Sequence, residues 1–212
     1  MNKTLYYVFD PLCGWCYGAG AAVAALEDVP GLEVELLPSG LFSGEGARSM
    51  DDSFAAYAWS NDQRIERLTG QPFSGRYRSK VLADRQQRFD SGAATLALTA
   101  VALISPQREL EALKAIQKAR YVDGQDITRL ETLDAVLRAI GLEQVAARLT
   151  QTDDELVAAN RARLANAQDL LRQFNARGVP TFILETSGQR QLLHSSTVFP
   201  NPQAFIEEFV AA

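Results

Sequence analysis

Only two cysteines and one histidine occur among 212 residues. That scarcity excludes a scaffold stapled by several disulfides. It also leaves too few ligands for a closed tetrahedral zinc site within one chain, which wants four. Basic residues are outnumbered, 21 Lys and Arg against 26 Asp and Glu, for a net charge of −5. No basic cluster is interleaved with aromatics, so nucleic acid is not an expected partner. Long apolar runs are missing as well. The longest, Ala93 to Ile104, is about a dozen residues with Thr95 and Thr99 inside it, too short to span a bilayer. Met1-Asn2-Lys3-Thr4 leads directly into a strand pattern, without the charged and apolar regions of a secretory leader. These absences predict a soluble, cytoplasmic chain with no membrane partner. Internal repeats and low-complexity tracts are also lacking.

What is present concentrates in one stretch, Asp10-Pro11-Leu12-Cys13-Gly14-Trp15-Cys16-Tyr17, which holds both cysteines in C-x-x-C spacing. A run of strand formers, Leu5 to Phe9, precedes it, and small residues with helical character follow from Gly18 to Leu26. The cysteines therefore fall where a strand ends and a helix begins. A thiol there lies near the unpaired N–H groups at the positive end of the helix dipole, which favours the thiolate. Cys13 is expected to be exposed and reactive. Cys16, one turn later, is expected to lie shielded below it and to close a disulfide. A purely structural disulfide is the competing reading, but so small a loop contributes only on the order of 2 kcal/mol. A metal bridge between two copies and a pair of inert buried thiols are the others. No metal ligand set is assigned within the chain.

The rest of the chain frames that stretch. Leu32 to Leu37 alternates as a second strand, and β-α-β connectivity makes it parallel to the first. From about Ser49 to Arg177 the pattern is helical. Asp51 or Asp52 caps a helix to about Leu68, and Ser74–Arg88 has helical potential. Asp90-Ser91 caps the apolar Ala93–Ile104 segment, and Ser105-Pro106 opens a helix to Tyr121. Thr152-Asp153-Asp154-Glu155 forms a capping box. The helix it begins is expected to stop at Gly178 and to carry Arg161, Arg163, Arg172 and Arg177 on a solvated face. Strands return at Thr181–Leu184 and Gln191–His194 around a turn at Ser187-Gly188-Gln189, and Asn201-Pro202 caps a last helix. A chain that begins and ends in one sheet with helices between is a sheet domain bearing an insertion. We expect residues 1–48 and 176–212 to form the sheet domain and 49–175 an all-helical insertion.

The two ends of the chain resemble the thioredoxin superfamily, and the point of insertion resembles its DsbA-like branch. Within that branch Asp10 to Tyr17 is similar to the signature of signal-less proteins related to FrnE, in which an Asp stands three residues ahead of a Cys-Pro-Trp-Cys centre. Gly178-Val179-Pro180-Thr181 resembles the branch's cis-proline loop. The resemblance is specific over roughly 5–45 and 175–210. It implies an α/β, thioredoxin-like fold and a protein-disulfide oxidoreductase or isomerase, with Cys13, Cys16 and Pro180 as catalytic positions. It further implies that Trp15, Gly14, Val179 and Asp10 meet the substrate, a thiol- or disulfide-containing peptide or small molecule. No cofactor is implied beyond glutathione as a redox partner.

Two departures qualify the resemblance. The position six residues before Cys13, often a proton-transferring carboxylate in the superfamily, is Tyr7, a poor base at neutral pH. Asp10 or water must then take the Cys16 proton. The Gly14-Trp15 dipeptide also lacks the charged His found in the strongly oxidising DsbA centre. Trp15 has two readings, a substrate contact or packing against the insertion. His194 reads as structural, and Glu33 and Glu35 as a solvated strand end. Two further function classes stay open: a glutathione-dependent transferase or isomerase resembling the kappa-class and hydroxychromene-carboxylate isomerase relatives, and a redox-switched or metal-bridged dimer. The cysteine pair counts against the first of these, since its members usually have serine at Cys13.

Overall fold

A computed structural model describes residues 3–194 and 197–210. Met1, Asn2 and the last residues of the expected sheet domain lie outside them. Strands β1 (Lys3–Phe9), β2 (Leu32–Pro38), β5 (Thr181–Thr186) and β6 (Gln189–Leu193) form a sheet ordered β2-β1-β5-β6. β1 pairs parallel to β2 and antiparallel to β5, with Tyr7 opposite Leu36 on one side and Phe182 on the other. The parallel pair is joined by helix α1 (Gly14–Leu26). The hairpin between β5 and β6 turns on Ser187 and Gly188, both with positive φ, as a two-residue loop matched to strand twist requires.

Alternation along β1 sorts its side chains between two cores. Leu5, Tyr7 and Phe9 join the core that includes α1 and Phe205 of the last helix, α9 (Pro202–Val210). Tyr6 and Val8 point to the other face, where Ala167 and Leu170 of α8 (Asp154–Gln173) cover them. So α8, within the stretch read as insertion, forms one layer of the sheet lobe. Arg163 also departs from the solvated reading. It donates to the Leu36 carbonyl at 2.7 Å and pairs with the buried Glu109 at 2.6 Å, tying α8 to β2. Glu33, Glu35 and His194 are exposed.

The insertion comprises α2 (Asp52–Thr69), the short α3 (Gly75–Tyr77), α4 (Gly92–Ile104), α5 (Glu109–Tyr121), α6 (Leu130–Ala139) and α7 (Glu143–Thr150) before α8. It is helical except at its base, where β3 (Arg48–Ser49) pairs with β4 (Arg88–Phe89). The Ser74–Arg88 stretch is α3 and a wide turn over Arg78–Leu82 rather than one regular helix. Two caps also move. Asp153, not Thr152, caps α8 by accepting from Leu156 N at 2.7 Å. That helix ends at Gln173 with Asn175 at φ 50°, before Gly178 is reached. Glycine decides how α1 and α2 meet. A Cβ on Gly14 would stand 2.5 Å from Asp62 Oδ1, and one on Gly18 would stand 2.5 Å from Ile65 Cγ2. One turn apart on α1, they let α2 lie directly against the start of that helix.

Candidate active site

Cys13 is the N-cap of α1, in extended backbone at φ −82°, ψ 115°. Its Sγ accepts a hydrogen bond from Cys16 N at 3.4 Å, and its thiol donates to the Val179 carbonyl at 3.5 Å. A first-turn N–H thus points at this sulfur, an arrangement suited to negative charge on it. Both cysteines are free thiols. Cys16 is wholly enclosed, and burial, followed by the neighbouring Cys13, pushes its thiol well above the usual range. Cys13 is also buried, at 7 % exposure, which corrects the expectation of an exposed thiol. The insertion causes the difference: α2 and its neighbours wall the side on which an open dithiol would face solvent.

The loop expected opposite the dithiol lies there, 166 residues away in sequence. Val179–Pro180 is a cis peptide, and Thr181 Oγ1 donates to the Gly178 carbonyl at 2.7 Å within the same turn. Trp15 is half-buried. Its ring packs edge-on to Phe199 with centroids 4.8 Å apart, and the Arg64 guanidinium of α2 lies 5.6 Å above it. Trp15 therefore packs on Phe199, meets the insertion through Arg64 and also lines the Cys13 cleft. Gly14 seats α2, as the close approach of Asp62 shows.

Asp10 presents no surface to the cleft. It is completely buried, which corrects its expected role as a contact. Its carboxyl accepts from Leu12 N at 2.9 Å, Phe42 N at 3.1 Å and Ser91 Oγ at 2.8 Å. It is the clasp that folds the Asp10–Cys13 turn onto the insertion. Of the expected Asp90-Ser91 cap on α4, Asp90 makes the bond, its Oδ1 accepting from Gly92 N at 2.9 Å, while Ser91 gives its hydroxyl to this clasp. Burial raises the Asp10 carboxyl above its ordinary range, against its hydrogen bonds and the attraction of Arg120. Tyr121 adds a second tie by donating to the Leu12 carbonyl at 2.8 Å. Tyr7 is in no position to act as a base. It donates to the Cys16 carbonyl at 3.1 Å, and burial pushes its phenol well above the usual value.

Sequence reading missed the groups that the insertion brings to the dithiol. A cleft of about 140 Å³ opens beside Cys13, walled by Gly14 and Trp15 on one side and by Asn61, Asp62 and Tyr77 on the other. Asp62 is 4 % exposed and accepts from the Tyr77 hydroxyl at 3.0 Å. Burial raises its carboxyl to about 7, although Tyr77 and Arg120 pull it down. Arg120 is 1 % exposed. Its guanidinium lies over the rings of Tyr77, Phe89 and Tyr121 at 5.5, 5.4 and 5.7 Å. Among the described residues its Nε and Nη1 have no hydrogen-bond partner. A signal for Asp62 did exist: it shares the inner stripe of α2 with Ala58 and Ile65, where a charge is out of place.

The raised carboxyl has a measurable consequence. The native state keeps the Asp62 proton to about pH 7, whereas the unfolded chain releases it near 3.8. Its contribution to stability is therefore complete below about pH 4 and lost as pH rises through 7. Asp62→Asn cannot ionise. The variant is expected to gain on the parent across that window, reaching on the order of a few kcal/mol at pH 8. Urea unfolding at pH 5 and pH 8 checks this, and an advantage independent of pH would contradict it.

A paired thiol at a helix N-terminus, touching a Val-Pro loop at one end of a four-stranded sheet, defines a disulfide oxidoreductase of thioredoxin fold. The chain belongs to the DSBA-like thioredoxin domain family, which matches residues 4–205. Solved structures agree. The cytosolic disulfide reductase DsbM from Pseudomonas aeruginosa is 33% identical, with a TM-score of 0.88 over 98% of this chain and 97% of that one. The same reductase with GSH is 32% identical, with a TM-score of 0.85 over 99% and 100%. A candidate protein disulfide isomerase from Nitrosomonas europaea, at 21% identity, shares the fold with a TM-score of 0.81 over 100% and 97%. Comparison with curated proteins returns no match. Among the described residues no helix is long and apolar enough to cross a membrane.

Proposed function

We propose that this protein is a cytoplasmic thiol–disulfide oxidoreductase that works mainly as a reductase or exchanger. Cys13 attacks one sulfur of a substrate disulfide, forming a mixed disulfide and releasing the other sulfur as a thiol. Cys16 then attacks Cys13, closing the Cys13–Cys16 disulfide and releasing the second thiol. Two molecules of a small thiol, with glutathione the proposed one, return the pair to the dithiol and leave as a disulfide. The observation that carries this reading is the position of Cys13 Sγ, between the Cys16 N–H, the Val179 carbonyl and a cleft, with Cys16 enclosed behind it. The likeness to a cytosolic reductase solved with GSH supports both the partner and the compartment. Trp15 and Val179 border the substrate's path, and the wall formed by α2 favours small or unfolded substrates over folded surfaces.

Redox poise tests the direction. The dithiol keeps the helix N-terminus but has uncharged Gly14-Trp15 between its sulfurs. Its potential is expected between those of thioredoxin, about −270 mV, and DsbA, about −120 mV, nearer the glutathione range. Equilibration against glutathione buffers, followed by alkylation of free thiols, measures it. A couple as oxidising as DsbA would overturn the reductase reading.

A further inference from the structure

Disulfide exchange moves protons as well as sulfur. An alkyl thiolate is a basic and therefore slow leaving group that takes up a proton as it departs, and a small thiol must lose its proton to attack. The strand position below the dithiol is Tyr7, whose hydroxyl is already donated to the Cys16 carbonyl. Asp10 has both carboxyl oxygens engaged and no exposure. Among the described residues that line the Cys13 cleft, Asp62 is the one carboxylic acid. Its Oδ2 accepts from Tyr77, while no donor among the described residues reaches Oδ1. Oδ1 is the atom that a Cβ on Gly14, the first of the two residues between the cysteines, would meet first, at 2.5 Å. This oxygen therefore lies against the dithiol turn, and Asp62 shares with Cys13 the lining of the cleft open to a substrate.

We propose that Asp62, reaching across from the helical insertion, is the acid–base group for the substrate sulfur exchanging at Cys13. This deepens the oxidoreductase reading and rests on it. In the forward direction the Cys13 thiolate attacks R–S–S–R′. The Cys13–R disulfide forms, the substrate S–S bond breaks, and R′–S⁻ leaves with the electron pair. Asp62 gives that sulfur its proton, producing R′–SH and leaving Asp62 as the carboxylate. When a small thiol later reduces the Cys13–Cys16 disulfide, the carboxylate takes the proton of the attacking thiol. The groups facing Asp62 fit both states. Tyr77 from α3 donates to it, Arg120 from α5 offsets its charge, and Tyr121 and Cys13 complete the surroundings. Gly14 is then the residue that admits the carboxyl to the dithiol.

The test separates this chemistry from a structural role by the leaving group. Hydroxyethyl disulfide releases an alkyl thiol that needs a proton, whereas dithiobis-nitrobenzoate releases an aromatic thiolate that leaves ionised. Asp62→Asn is expected to slow the first reaction about 100-fold near pH 6.5, and the second by less than about twofold. The defect should shrink as pH rises through about 7, where the parent enzyme itself loses the acid. Asp62→Glu should recover part of the rate with hydroxyethyl disulfide. Equal slowing of both disulfides, or of neither, overturns the role of Asp62 while leaving the oxidoreductase reading intact. A parent protein inert toward both disulfides overturns that reading, and the role of Asp62 with it.

Discussion

Cys13→Ser is expected to abolish disulfide exchange, by on the order of 10³-fold or more. A serine hydroxyl at neutral pH has no comparable nucleophilicity. Cys16→Ser should behave differently. It leaves the first attack intact and removes the internal thiol that releases the substrate, so mixed disulfides at Cys13 should accumulate. Intact-mass measurement after incubation with oxidised glutathione reads both outcomes: an adduct on the Cys16 variant and none on the Cys13 variant. The reverse pattern would exchange the two roles. The geometry argues against that reversal, because Cys16 is wholly enclosed while Cys13 borders the cleft.

Asp10→Ala should be the most damaging substitution away from the sulfurs. It removes one acceptor group that serves three donors: Leu12 N, Phe42 N and Ser91 Oγ. It also takes away one of the carboxyls facing the buried Arg120. A buried donor left without a partner costs about 1–3 kcal/mol. Shared relaxation makes three such losses less than additive, so a loss on the order of 3–5 kcal/mol is expected, a large part of a typical domain's stability. Urea unfolding of Asp10→Ala beside Asp10→Asn, which keeps an acceptor oxygen, measures it. A loss below about 1 kcal/mol would show that the clasp is dispensable. Because the clasp orients the Cys13 turn, exchange activity should fall along with stability.

Much of the fold was legible because its signals are local. Alternation over Leu32–Leu37, the Asn201-Pro202 pair that opens α9, and the Ser187-Gly188 turn each act within a few residues. The structure places β2, α9 and the hairpin close to where those signals fall. Errors arose where a local signal competed with a distant partner. Ser91 has the side chain of a helix cap, yet its hydroxyl goes to Asp10, 81 residues earlier. Arg163 sits among exposed arginines on α8, yet it reaches the Leu36 carbonyl and Glu109. The expected exposure of Cys13 failed for the same reason, since helix geometry says nothing about what is packed over the helix end.

The sequence by itself determined the dithiol and its setting. A strand run, a C-x-x-C pair and a helix occupy one continuous stretch, so covalent connectivity alone brings the sulfurs to the helix N-terminus. It also marked Val179-Pro180 through a motif of four consecutive residues. Only the tertiary structure decided which groups surround the sulfurs. Asp62, Tyr77, Arg120 and Tyr121 belong to three separate helices of the insertion, and Tyr121 alone reaches back 109 residues to the Leu12 carbonyl. Nothing in the periodicity of α2 says that Asp62, rather than another residue on its stripe, meets Gly14. Helix rotation is set by interlocking side chains, here by the two glycines of α1 receiving Asp62 and Ile65. The shift of a buried carboxyl to about 7 is a property of that enclosure rather than of an aspartate in sequence.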